Sequence, residues 1–418
     1  MPSLIPVFRF TIPSMTDATP LDCRIYHPSS NLDSDADQQC RKKGAIVAHP
    51  YAPMGGCFDD PVVMTVAELL LAEGFVVVTF NFRGASPSKG STSWSGKPER
   101  DDYASIIGFT IYYLSASSSS SGYGPPLSHT SSPITLLLSG YSYGSLILSQ
   151  LSFTSSILSR FQSSIVNSNA SEIQHRAHAL AEQYRSTEVR EIDNRLSPQR
   201  NRRDRPHSPR PVVYGGRETP RASREEKRRS SDIIRKSLDT PRRIRGAVTR
   251  NRGSSRTVPS TPSPSASPEK DIREHGDPPP RIPSSTDGDT LPTVRTYYLL
   301  ISPLLPPVSY FLCPSLSSIF SFGRPSSHIP ASTIGNNTTL AVFGSADVFV
   351  SARKLRSWAR SMQEASIERG GEDRGRKAGF EWHEIEGAGH FWREEGVERV
   401  LKGTIRDWVQ GVVLSQPT

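Results

Sequence analysis

The stretch Ile134-Thr135-Leu136-Leu137-Leu138-Ser139-Gly140-Tyr141-Ser142-Tyr143-Gly144 decides how this chain folds. Ile134 to Leu138 is an almost unbroken apolar run, the composition of a strand covered on both faces. It ends in Gly-Tyr-Ser-Tyr-Gly. Glycine two residues before and two residues after a Ser removes the Cβ atoms that would collide where a strand turns sharply into a helix. That turn strains the Ser and pushes its hydroxyl into the open. Ser142 is therefore the candidate nucleophile, provided that an acid and a base follow it. The pentapeptide is weak by itself in a chain with 30 Gly and abundant Ser. Its weight comes from the strand before it, the helix after it and the residues downstream.

Upstream, residues 4–12 and 21–28 read as strands separated by turn residues. Residues 44–48 form a short buried strand that ends at His49-Pro50. Residues 61–73 place Val63, Val66, Leu69 and Leu70 at helical spacing and stop at Gly74. Residues 75–82 are a β-branched and aromatic strand ending at Arg83-Gly84. Residues 101–114 read as an amphipathic helix, 115–121 as a serine-rich loop, and 144–158 as the helix after the elbow. The alternation resumes with strands at 297–301, 339–343 and 380–385 and helices at 352–364 and 394–413. Alternating strand and helix predict a mainly parallel sheet with helices on both faces.

Between the two halves the pattern breaks. Residues 171–190 could form a helix, with Ile173, Ala177, Leu180 and Tyr184 on one face. From 196 to 292 no apolar period survives and Pro, Ser and Arg dominate, the composition of a disordered insert. The expected organisation is thus 1–195 and 293–418 as two parts of one α/β domain, with 196–292 between them. The overall net charge of +9 belongs to this insert: residues 195–256 carry a net of +14 and the remainder a net of −5. Ser197, Ser208, Thr219, Thr240, Thr261, Ser263 and Ser267 each precede Pro, and Lys227-Arg228-Arg229 precedes Ser230. Phosphorylation there would lower the positive charge. The segment reads first as a solvated insertion, which costs little because loop-closure entropy grows slowly with length. Second, it reads as a docking segment for a protein partner or a kinase. Nucleic acid is the weakest partner, since no aromatic platform accompanies the arginines and a charge run is usually solvated.

Mean hydropathy is −0.44, low for a fully globular chain, so part of it is expected to be disordered. The four Cys are scattered without paired spacing, which favours reduced thiols over a disulfide frame or a metal site. No signal peptide or membrane span is visible, so a cytoplasmic protein is expected, with the nucleus left open.

The base and the acid lie in the C-terminal part. His390, in Glu386-Gly387-Ala388-Gly389-His390-Phe391, follows the last expected strand, from which an imidazole can reach a Ser at the sheet's carboxyl edge. His383 lies inside that strand, and His175, His207 and His275 lie in or beside the insert. Asp347, in Gly344-Ser345-Ala346-Asp347, follows the strand 339–343, where a carboxylate would orient the imidazole. Its simpler role is an N-terminal charge for the helix 352–364. Asp373 is a weaker choice, in a charged Gly-rich loop. An oxyanion would be held by backbone N–H groups. Tyr143, directly after Ser142, supplies one. The loop His49-Pro50-Tyr51-Ala52-Pro53 supplies the other, with Tyr51 first, Ala52 second, and the two prolines without an N–H to give. His49 comes too early in the chain to be the base and reads as a loop-shaping residue.

With these residues in place the chain resembles the α/β-hydrolase superfamily. Within it, the chain is similar to a branch of small predicted serine hydrolases with a His-Pro-x-x-x-x-Gly-Gly loop and an Asn-Phe-Arg-Gly turn. Here these are His49-Pro50…Gly55-Gly56 and Asn81-Phe82-Arg83-Gly84. The order Ser142, Asp347, His390 is that fold's order. The resemblance covers roughly 40–158 and 294–412. It implies hydrolysis of an ester or related acyl bond on a small-molecule substrate, without a metal or organic cofactor. Thioester, amide and acyl-transfer chemistry stay open. The insert, and the stretch 302–334 with Tyr310, Phe311, Leu312, Ile319 and Phe320, depart from the pattern. That stretch could be an apolar lid or a loop packed on the core. Arg83 reads as a hydrogen-bond hub beneath the site more than as a substrate binder. The competing reading is an interaction or regulatory protein on a hydrolase scaffold, working through the insert.

Overall fold

The strands are β1 (Phe8–Pro13), β2 (Pro20–Tyr26), β3 (Lys43–Ala48), β4 (Val76–Phe80), β5 (Ile134–Tyr141), β6 (Val294–Ile301), β7 (Thr339–Gly344) and β8 (Phe380–Ile385). They form one sheet in the order β1-β2-β4-β3-β5-β6-β7-β8. β1 pairs β2 and β2 pairs β4 antiparallel; all other neighbours are parallel. The computed structural model describes residues 4–28, 42–118, 133–162, 167–196, 292–306, 308–309, 334, 337–369 and 379–415. The expected insert 196–292 lies outside them apart from its first and last residues, and so do Tyr310, Phe311, Leu312, Ile319 and Phe320.

The central strands are mostly apolar because both faces are covered. In β3, Ile46 and Ala48 join one core while Ala45 and Val47 join the other; in β7, Ala341 and Phe343 oppose Leu340 and Val342. One core is closed by α1 (Pro61–Ala72) and α7 (Val397–Trp408), through Val63, Leu70, Leu401 and Trp408. The other is closed by α2 (Lys97–Ser118), α3 (Tyr143–Leu148), α4 (Thr154–Gln162), α5 (Asn169–Leu196) and α6 (Ala352–Arg369). α4 lies close on α2: a Cβ on Gly108 would stand 1.9 Å from Phe161 Cζ.

Two expected helices are corrected. The helix expected over 144–158 is two helices. Ser149 Oγ donates to the Leu146 carbonyl at 2.7 Å, and the amides of Gln150 and Leu151 reach back three residues, to Ile147 and Leu148. A side chain that competes for backbone carbonyls tightens and ends the helix. The next segment restarts at Thr154, whose hydroxyl pairs with that of Thr296 on β6 at 2.9 Å. The last helix, expected from 394, begins at Val397, after Gly396 at φ 81°. Beyond Trp408 it widens into a π turn over Val409–Val413. No helix among the described residues is long and apolar enough to cross a membrane.

The strand order also sets where a site can form. From β3 the chain crosses to β4 on one side, whereas β5 lies on the other. The loops leaving β3 and β5 therefore diverge and leave a crevice at the carboxyl edge of the sheet, as open α/β sheets do at such reversals.

Candidate active site

Ser142 stands between β5 and α3 with φ 55° and ψ −111°, a conformation that costs an L-residue about 1–3 kcal/mol. The glycines explain how it is tolerated. A Cβ on Gly140 would stand 2.3 Å from the Gly144 carbonyl carbon, and one on Gly144 would stand 2.6 Å from the Ala48 carbonyl oxygen. Only glycine lets α3 start so close to β5 and β3. The turn is pinned from the neighbouring strand: the Ser142 amide donates to the Ile301 carbonyl at 2.8 Å, and the Ser145 hydroxyl donates to the carbonyls of Gly140 and Ile301.

The structure brings the three sequence candidates together. Ser142 Oγ lies 2.9 Å from His390 Nε2, and His390 Nδ1 lies 2.7 Å from Asp347 Oδ2. All three side chains are buried, His390 to 3% exposure. With Nδ1 protonated toward Asp347, Nε2 is left as acceptor for the serine proton. Asp347 also shapes its own loop: its Oδ1 accepts the amides of Phe349 (2.8 Å) and Val350 (3.0 Å), tightening the turn that precedes α6, which starts at Ala352. One carboxylate oxygen holds its own loop and the other holds the imidazole.

The acid and histidine loops are fastened to each other. The amides of Ser345 and Ala346 donate to Ile385 and Ala388, and the Gly387 amide donates to Ser345 Oγ. A Cβ on Gly344 would stand 1.9 Å from the Ala388 carbonyl oxygen, so the loops meet only because residue 344 is glycine. The Tyr141 hydroxyl donates to the His390 carbonyl at 3.0 Å, and Trp392 Nε1 donates to Ser302 Oγ at 3.0 Å. Burial pushes the Tyr141 phenol up, which keeps it a donor. Phe349 sets its ring edge-on to the imidazole at 4.5 Å.

His49 is wholly buried beside the site. Its Nε2 accepts the Phe82 amide at 2.9 Å and its Nδ1–H donates to the Pro50 carbonyl at 2.6 Å. Burial lowers its pKa to about 4. It therefore ties the loop after β3 to the turn after β4 as a neutral ring. In that loop the amides of Met54 and Gly56 both reach the Tyr51 carbonyl, and a Cβ on Gly56 would stand 2.3 Å from the Pro50 oxygen. Tyr51 borders the cavity above Ser142; Tyr143 is the first residue of α3, and the two rings lie 5.1 Å apart. Arg83 is a hub beneath these loops: it donates to Asp102 (2.6 and 2.9 Å), Asp17 (2.7 Å) and Ser14 (3.2 Å). Its guanidinium holds the Asp17 carboxyl down to about 2.

Above Ser142 opens a cavity of about 350 Å³ whose wall includes Tyr51, Met54, Leu304, Val308, Phe349 and Phe391, with Cys57, Asp59, Asp60 and Arg393 among its polar members. Asp60 also caps α1 by accepting the Val62 amide at 2.9 Å, and burial pushes its carboxyl up. Sequence reasoning missed Phe349, Asp60 and Arg393. Asp60-Pro61 carries a legible helix-start signal, but nothing local says that the cap borders a cavity. Of the stretch 302–334, Leu304 and Val308 line the cavity; its lid reading concerns residues outside the described ones.

No family model and no curated protein matches the chain. Among solved structures it is similar to an α/β serine hydrolase without lid from Xanthomonas campestris, at 14% identity over 99% of this chain and 100% of that one, with a TM-score of 0.44. It is similar to a thermophilic esterase from Thermogutta terrifontis, at 11% identity over 98% and 97%, TM-score 0.40. It is also similar to alpha/beta hydrolase domain-containing protein 10 from mouse, at 10% identity over 97% and 99%, TM-score 0.36. Likeness of this degree says nothing of substrate or activity. The chain's own strand order, with its two antiparallel strands leading into a parallel sheet and a strained Ser between β5 and α3, is that of the α/β-hydrolase fold.

Proposed function

We propose that the chain is a serine hydrolase that cleaves an ester or related acyl bond through a covalent acyl-enzyme. The observation that carries this reading is the continuous hydrogen-bonded series Asp347–His390–Ser142, of which Ser142 and His390 line a largely apolar cavity. Ser142 Oγ attacks the acyl carbon as its proton passes to His390 Nε2. Asp347 keeps Nδ1 protonated and stabilises the imidazolium. The carbonyl oxygen becomes an oxyanion held by the amides of Tyr143 and Tyr51. Collapse of the tetrahedral intermediate expels the alcohol, which takes the proton from Nε2. Water then attacks the acyl-enzyme, giving its proton to Nε2, and the acid leaves as Ser142 recovers that proton. No metal or organic cofactor enters any step.

The test is labelling of purified protein with a fluorophosphonate, wild type beside Ser142→Ala. Labelling of the wild type and its loss in the variant is the expected result. Folded wild-type protein that takes no label, or equal labelling of the variant, would overturn the proposal.

A further inference from the structure

Beside the cavity above Ser142 lies a smaller hollow of about 80 Å³. Asp60, Pro61, Tyr141, Phe391 and Arg393 border both. The charged groups at these two walls differ in how they are used. Asp59 is engaged by both terminal nitrogens of Arg24. Asp60 caps α1 through the Val62 amide. Glu398 pairs with Lys402 at 2.9 Å and accepts the Thr65 hydroxyl. The Arg393 side chain is exposed and, among the described residues, its guanidinium forms no hydrogen bond or ion pair, although the Asp60 carboxyl on the same walls feels its charge; it stands over the Phe391 ring, 5.4 Å from the centroid. It is three residues beyond His390, on the loop that the Tyr141 and Trp392 hydrogen bonds hold in place.

An exposed guanidinium costs little while water covers it. A substrate seated in the cavity displaces some of that water. A neutral substrate would leave the cation partly dehydrated and without a hydrogen-bonded partner, which is unfavourable. An anionic group would replace the water with charge-assisted hydrogen bonds, and a planar guanidinium fits a carboxylate or phosphate with two of them. The Phe391 ring beneath it favours the cation at this position. The remaining wall, with Tyr51, Met54, Leu304, Val308 and Phe349, suits an apolar body.

We infer that Arg393 is a specificity residue and that the preferred substrates are amphipathic acyl compounds, with an apolar body and an anionic group that meets this guanidinium. The inference rests on the reading of Ser142 as nucleophile and names the substrate class of that same site. The anion belongs either to the acyl part or to the leaving group.

Two ester pairs test this in the full-length protein. The para-nitrophenyl monoester of glutaric acid is compared with para-nitrophenyl pentanoate, which places the charge on the acyl side. The butyrate ester of para-hydroxybenzoate is compared with that of para-hydroxybenzamide, which places it on the leaving side. kcat/KM is measured for wild type, Arg393→Gln and Arg393→Glu. In at least one pair the wild type should favour the anionic ester, Arg393→Gln should reduce that preference about tenfold, and Arg393→Glu should reverse it. Raised salt should weaken the preference as well, since the group is exposed. The pair that responds identifies the side of the scissile bond that carries the anion. A ratio unchanged by both substitutions in both pairs would overturn the inference. Fluorophosphonate labelling of each variant separates the two failures: Ser142 that labels normally without discrimination sinks only the role of Arg393, whereas absent labelling sinks the hydrolase reading beneath it.

Discussion

Asp347 carries two duties on two oxygens, and substitution can separate them. Asn at this position retains a carbonyl oxygen for the amides of Phe349 and Val350 but presents an amide to the imidazole. That favours the wrong tautomer, in which Nε2 is protonated and cannot accept from Ser142. Asp347→Asn should therefore keep the fold and lose about 10³–10⁴-fold in kcat. Asp347→Ala should lose comparable activity and also stability, since the turn before α6 loses both its bonds. Thermal melts beside ester kinetics check this; an Asn variant with near wild-type turnover would remove Asp347 from the mechanism. Part of this is readable in the sequence. Gly344-Ser345-Ala346-Asp347 after a β-rich run marks a carboxylate at a strand's carboxyl end. Which oxygen goes where depends on the histidine loop, 43 residues later.

At the scale of elements, the site is built where loops from different strands are tied together, and His49 is the tie between the loop after β3 and the turn after β4. Its ring accepts from Phe82 and donates to Pro50, so both nitrogens are used only when it is neutral. With its pKa lowered from 6.5 to about 4, the unfolded chain takes up the proton first as pH falls. Stability from this group is therefore complete above pH 6.5 and is lost as pH drops toward 4, by roughly 3 kcal/mol in all. Urea unfolding across that interval should show a shallower acid decline in His49→Gln than in wild type, from a lower starting stability. Parallel pH profiles for the two proteins would contradict the assignment. The element order itself was legible from apolar runs and stop signals. The break between α3 and α4 was not, because the Ser149 hydroxyl chooses the Leu146 carbonyl only once the helix around it exists.

For the whole molecule, residues 1–198 and 288–418 form one contact-connected unit. Among the described residues, the buried core, and Ser142, Asp347 and His390, are drawn from it. The strands on either side of the insert, β5 and β6, are parallel neighbours paired from Ile134 with Val294 to Tyr141 with Ile301. Replacing residues 199–287 by a Gly/Ser linker of comparable reach should leave fluorophosphonate labelling of Ser142 at the wild-type rate, since loop-closure entropy varies slowly with length. Loss of labelling in a soluble replacement would assign the insert a part in the site.

The alternation of strand and helix, the elbow at Ser142 and the chain order of Ser142, Asp347 and His390 are carried by short contiguous runs. Apolar residues in succession, glycines at a forced turn and a histidine after a final strand act over a few positions, so they can be read directly. The tertiary structure decided the rest: β4 lying outside β3, Phe349 against the imidazole, the Tyr141 phenol on the His390 carbonyl, and Asp60 and Arg393 at the cavity wall. Each of these depends on which loops meet at the sheet's edge. Ser142 and His390 are 248 positions apart in the chain, and only strand pairing and the packing of both cores bring such distant segments within hydrogen-bonding reach.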